Sequence, residues 1–325
     1  MPNCCRSWPA GLADMAVLFA VVLPVFGLVG AGWLARRAGW MGAGAAIEMN
    51  HFVVHLAMPA LLFQIMSRAT WRQLDMPGFI AAFGLASAAI FASTVAWRRL
   101  RGGALADASL EGLNAAYANV GFIGFPLCMA AFGADSMTPV TIAAILTVCA
   151  LFAMALAVLE FGLGTGGTRA ILARVGASLA RNPMLVAPAL GALYAYAGPP
   201  LPAGAERFVT LLASAASPCA LVSLGLFLAE PRARPDMTGL GIQVVLKLVG
   251  QPLLTWVLAH WVFRLPPALT AIAVILAALP TGTGPFMLAN LYGRKADGVA
   301  GSVLVSTVLS IATITVLLTW LTNSA

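Results

Sequence analysis

The sequence predicts an all-α polytopic membrane protein, with ten transmembrane helices in two inverted five-helix repeats whose fourth and ninth helices are broken and cross. Three observations predict it. Hydrophobic residues make up 61% of the 325 residues and charged residues only 9%, far below the roughly 25% charged typical of soluble domains. Polar breaks divide the chain into stretches of the ~20 apolar residues that a membrane span needs. Two of these stretches carry prolines and glycines where a continuous helix should run.

In chain order, the spans are expected at 15–36, 45–67, 77–97, 110–131 and 138–161, then at 182–198, 206–229, 238–262, 267–291 and 299–322. Residues 1–14 form an N-terminal tail without the apolar core of a signal peptide. In it, Cys4-Cys5 is open to lipidation, and Met15 competes with Met1 as the start. Cys128, Cys149 and Cys219 fall within spans and read as small apolar side chains. The longest polar gap, Gly162 to Arg181, is too short for a soluble domain. Twelve of the 18 Lys and Arg residues lie in the loops after spans 1, 3, 5, 7 and 9, and five lie on the other face. The positive-inside rule puts the richer face in the cytoplasm and both termini outside.

The two halves share an internal offset. Pro59 in Ala57-Met-Pro-Ala-Leu-Leu62 and Pro218 in Ser217-Pro-Cys-Ala-Leu-Val222 stand 159 residues apart, as do Pro126 and Pro285. A shift that carries five spans inverts the second copy in the membrane, so residues 15–165 and 166–325 read as inverted repeats. Spans 4 and 9 then hold equivalent breaks, Asn119-Val-Gly-Phe-Ile-Gly-Phe-Pro126 and Ala278-Leu-Pro-Thr-Gly-Thr-Gly-Pro285. Irregular backbone at membrane depth survives only inside protein or beside water, and in carriers it marks the binding site.

The residue types at the breaks suit an anion. Pro126 and Pro285 fit the first position of a restarted half-helix, which needs no N–H there. Such a half-helix presents free amides and a positive dipole end. Gly124, Gly282 and Gly284 allow close approach to the backbone, and Asn119, Thr281 and Thr283 add side-chain hydrogen bonds. The alternative is that these prolines and glycines only kink and pack the helices. Asn114, Tyr117 and Asn290, also near the breaks, read as packing residues.

Lys247 lies mid-span without an obvious acidic partner, since Glu48, Glu111 and Glu160 sit near span ends. It meets a substrate anion, sits hydrated or partly neutral in a cavity, or binds carbonyls freed at the break in span 9. His51 and His55 share one helix face. Interhelical hydrogen bonding, proton coupling and, lacking a third ligand, metal binding are the readings in descending order. The chain contains no nucleophile elbow, His-Glu-x-x-His, paired intramembrane aspartates or phosphate loop, which argues against an enzyme. It calls for no cofactor, metal or nucleic acid.

The runs Asn119–Leu127 and Ala278–Tyr292 resemble the span-4 and span-9 signatures of the auxin efflux carrier family. Met58-Pro-Ala-Leu-Leu62, Pro218–Leu226 and Lys247 followed by Pro252 resemble it more weakly. The resemblance implies a scaffold of spans 1, 2, 6 and 7 and a transport unit of spans 3–5 and 8–10. The unit would move elevator-fashion, often within a homodimer, and Asn119, Pro126 and Gly282 to Pro285 would form the crossover site. The absence of a long central loop resembles the compact bacterial members, often linked to malonate, malate or similar carboxylates. The expectation is therefore a secondary carrier of a small organic anion in a bacterial-type inner membrane. The alternatives are a sodium- or proton-coupled symporter of the same fold for a bulkier acid, and a transport-inactive sensor.

Overall fold

The structure, a computed structural model, describes residues 12–68, 75–164, 168–197, 201–230, 237–294 and 297–323. Cys4, Cys5 and all of the expected tail except its last three residues lie outside the described residues. Helix α1 is Leu12–Arg37, α2 Ala45–Arg68 and α3 Pro77–Leu100. Span 4 is split into α4, Leu105–Ala116, and α5, a π turn Val120–Gly124 that runs directly into Phe125–Phe132. Then come α6, Ala134–Leu163, α7, Thr168–Arg181, α8, Pro183–Ala197, α9, Ala203–Leu228, and α10, Met237–Val262. Span 9 is split into α11, Pro267–Ala278, and α12, Gly284–Leu291. The last helix, α13, is Asp297–Asn323.

Six of these helices (α2, α3, α6, α9, α10 and α13) are long and apolar enough to cross a bilayer, and α8 and α11 are shorter apolar helices. The chain is a polytopic membrane protein. One element was not expected: α7 occupies the polar gap between spans 5 and 6. Only four of its 14 residues, Ile171, Leu172, Val175 and Leu179, are large and apolar, so a window average reads it as a loop.

Three prolines share a local geometry that explains why they do not break their helices. Each follows a π turn that ends two residues before it: 53–57 before Pro59, 120–124 before Pro126 and 246–250 before Pro252. A proline lacks its own N–H and its ring clashes with the carbonyl four residues back. An i→i+5 turn moves that carbonyl away and leaves no donor missing.

Two packed groups emerge. Helices α1, α2, α8 and α9 pack on one another, and α3, α4, α6, α10, α11, α12 and α13 form the rest of the body. Within the first group, backbones touch at glycines. A Cβ on Gly32 would meet the carbonyl oxygen of Val222, and one on Gly191 would stand 2.7 Å from that of Phe63. Both the glycines and their partners are separated by 159 residues. The α1–α9 and α2–α8 crossings are thus one contact used twice, through the small residues that let membrane helices approach closely.

Charged ends join loops of matching parity. Arg36 meets Glu230 at 4.0 Å and Arg294 forks onto Asp107 at 2.6 and 2.9 Å. At the opposite end Arg68 meets Glu206 at 2.8 Å.

The α1–α9 contact gives a direct test. A Cβ on Gly225 would overlap the carbonyl oxygen of Val29, so Gly225→Val should destabilise the fold by about 1–3 kcal/mol through overpacking. Gly241, with open space around it, should tolerate alanine unchanged or gain slightly. Thermal unfolding of the two purified variants in detergent measures the contrast.

Candidate functional site

The two broken helices meet at their breaks. Residues 117–119 and 279–283 leave the helical path, and Ala118 and Thr281 form an antiparallel bridge. The Asn119 amide donates to the Pro280 carbonyl at 2.9 Å, and the Gly282 amide donates to the Tyr117 carbonyl at 3.0 Å. Each break supplies what the other lacks, in a region where unsatisfied backbone groups cost several kcal/mol. Asn119, Thr281 and Thr283 are buried there.

Four half-helix ends converge, and their electrostatics are unequal. The carbonyl ends are compensated. Thr281 Oγ1 donates to the Asn114 carbonyl in the last turn of α4 at 3.1 Å, and Lys247 Nζ donates to the Ala277 carbonyl in the last turn of α11 at 2.5 Å. The amide ends lack side-chain caps, although the Val120 amide itself donates to the Ala118 carbonyl at 2.8 Å. Asn119 and Thr283 occupy the N-cap positions of α5 and α12, yet neither side chain caps its helix, although both are residue types that commonly do. Two positive helix ends therefore begin at the crossing, each preceded by a buried polar residue.

The glycines have a different partner from the one expected. A Cβ on Gly282 would stand 3.0 Å from the ring of Tyr117, and one on Gly284 would stand 2.5 Å from its Cζ and 2.8 Å from its hydroxyl oxygen. Tyr117, expected only to pack, thus lies over the start of α12 in the space these glycines open. The signal in the sequence is its position, a large aromatic with a polar tip immediately before a break. Gly124 is closed in by Leu276 and Leu279, so a side chain there would crowd α11 and the turn that follows it. Gly121 is exposed, and a Cβ added there would meet nothing within 4 Å, so the first turn of α5 opens at this residue.

Pro126 requires a correction. Expected at the first position of the restarted half-helix, it is the second residue of the α-helical part Phe125–Phe132 but the seventh residue of α5, because the chain already rewinds at Val120 through the π turn. Pro285 does stand in the first turn of α12. The bridge Ala118–Thr281 spans 163 residues, not 159, so α5 is wound about one turn earlier than α12. The Pro126 side chain lies outside the described residues.

Lys247 is fully buried and belongs to a polar stripe on α10. Gln243 accepts from Asn114 Nδ2 at 2.5 Å and donates to Glu111, which pairs with Arg98. Gln251 donates to Ser87 Oγ at 3.0 Å. The stripe fastens α10 to α4, α11 and α3, and Lys247 binds a freed carbonyl of span 9. His51 and His55 are not at the crossing. Both are exposed on α2, and the His55 ring hydrogen-bonds the His51 carbonyl at 3.0 Å in place of a neighbouring helix.

A membrane protein with paired helix breaks buried at its centre has the anatomy of a membrane transporter, and similarity to known proteins agrees. A family model described as "Membrane transport protein" matches residues 17–162 and 167–318. The chain belongs to this family, the auxin efflux carriers, and is a transporter, not an enzyme. It is 32% identical to a protein of Rhizobium meliloti (strain 1021) named "Putative malonate transporter", over 94% of this chain and 96% of the relative. It is 26% identical to an uncharacterized transporter of Methanothermobacter thermautotrophicus, over 90% and 95% of the two chains. It is also 24% identical to the uncharacterized transporter YfdV of Escherichia coli (strain K12), over 84% and 88%.

Because Tyr117 fills the space above Gly284, Gly284→Ala should lower thermal stability, and adding Tyr117→Ala should recover part of the loss. A double-mutant cycle should give a coupling on the order of 0.5–3 kcal/mol. Additive losses would show that the ring and the glycine do not compete for one space.

Proposed function

We propose that this transporter carries a small organic anion, a mono- or dicarboxylate of malonate-like size, and binds it at the crossing of spans 4 and 9. The observation that carries this reading is the inequality of the half-helix ends. The carbonyl ends are neutralised by Thr281 and Lys247, while the amide ends at Val120 and Gly284 keep uncapped N-cap residues. A carboxylate fits such amides. Asn119 and Thr283 would hydrogen-bond it, and Gly282, Gly284 and Pro285 would shape the backbone beneath it. Lys247 would act from behind, removing the negative end of α11 that would otherwise repel the guest. The name of the R. meliloti relative points to the same chemistry.

In this reading the ten spans form two inverted five-span repeats. The recurrence of the Gly32 and Gly191 contacts at one offset supports it. Helices α1, α2, α8 and α9 serve as the scaffold. Spans 3–5 and 8–10, held together by the α10 stripe, move as the transport unit in an elevator cycle. The richly basic loops face the cytoplasm of a bacterial-type inner membrane, with both termini outside.

Binding should raise the thermal midpoint of the purified protein by a few degrees at saturating malonate or a related dicarboxylate, and cations such as choline should leave it unchanged. Thr283→Val should raise the concentration for half-maximal uptake into proteoliposomes by about tenfold, the loss of one hydrogen bond to a charged group. Lys247→Met should cut uptake more than it cuts folded yield. Equal losses of both would make the lysine purely structural.

A further inference from the structure

The linking helix α7 carries Arg169, Arg174 and Arg181 and no acidic residue. Its inner face is fixed. Ile171 packs on Gly164, Leu179 packs on the core, and Ser178 Oγ donates to Glu160 at 2.7 Å. The same Glu160 oxygen accepts from the Tyr292 hydroxyl at 2.6 Å, and Tyr292 directly follows α12. Its outer face is divided. Leu172 is 59% exposed, whereas Arg181, also exposed, lies nine residues on. At 3.6 residues per turn those nine residues are two and a half turns, so the leucine and this arginine emerge on opposite flanks. Arg169, exposed and three residues before Leu172, stands about 60° round the helix from it, so the exposed arc runs from an apolar edge at Leu172 through Arg169 to Arg181, as in a helix lying in a membrane interface.

We propose that α7 is a docking surface for anionic phospholipid headgroups of the cytoplasmic leaflet. Leu172 enters the acyl boundary, and the exposed Arg169 and Arg181 bind phosphate. Charge complementarity selects this occupant: a basic helix without acids, joined to the ends of membrane spans, meets a surface that attracts polybasic segments. Through Ser178, Glu160 and Tyr292 the helix is also tied to α12, so lipid bound at α7 bears on the half-helix that begins at the crossing. The placement on the cytoplasmic side rests on the orientation given under Proposed function.

The test uses the full chain purified in detergent. Added phosphatidylglycerol should raise the thermal midpoint by several degrees. Phosphatidylcholine at the same concentration and inorganic phosphate at equal charge should not. The R169Q/R181Q variant should lose most of the shift, and the R169K/R181K variant should keep most of it. If the glutamine variant does not fold, Arg169→Gln alone and wild type in 0.5 M salt, on the order of the ionic strength that screens exposed charges, should each show a reduced shift. An equal response in wild type and the glutamine variants, or an equal response to phosphatidylcholine or phosphate, would overturn the proposal. No cargo enters this readout, so failure of malonate uptake leaves it decidable. Labelling of Ala173→Cys in a cysteine-free background by an impermeant maleimide separately reports the side. Reaction in sealed right-side-out vesicles would overturn the cytoplasmic assignment.

Discussion

The structure depends on two hydrogen bonds that a membrane interior makes compulsory. Once spans 4 and 9 unwind, their amides and carbonyls have no water to turn to. The exchange between Tyr117–Asn119 and Pro280–Gly282 is the local solution. It fixes the two spans against each other and brings four helix ends to one place. Much around it follows from that requirement. Thr281 and Lys247 serve the carbonyl ends, Ser306 accepts the Thr281 amide at 3.0 Å, and Gly282 and Gly284 make room for the Tyr117 ring.

The 159-residue offset holds at the periphery and fails at the centre. Glycine contacts recur at an offset of 159, whereas the crossing pairs residues 163 apart. The four-residue difference is about one helical turn. It appears as the early winding of α5, through a π turn, against the longer open segment before α12. One amide end is consequently open at Gly121, and the other is covered by Tyr117.

The polar stripe of Gln243, Lys247, Gln251 and Thr255 gives α10 a role that a single lysine does not. Each residue is buried, and the first three bond to different neighbouring helices. In an apolar solvent such bonds have few competitors, and they fasten α10 to α4, α11 and α3. The contrast with the first group is physical. There α1 and α9, and α2 and α8, meet through small residues and backbone contact.

Composition and periodicity by themselves determined that the chain is helical and spans a membrane, because lipid admits no other use for so much apolar sequence with so few charges. They also located both breaks to within a few residues, because proline and glycine remove the donor and the conformational bias that a helix needs, whatever surrounds them. Which residue begins each half-helix was decided only by tertiary structure. Pro126 is absorbed by a π turn while Pro285 is not, and that depends on where the opposite strand pairs. The same holds for Lys247, whose partner is a backbone carbonyl 30 residues away and carries no sequence signature. It holds too for Tyr117, whose place is set by two glycines across the crossing. Local chemistry is written in each residue; the choice among its permitted partners belongs to the contacts that the fold brings together.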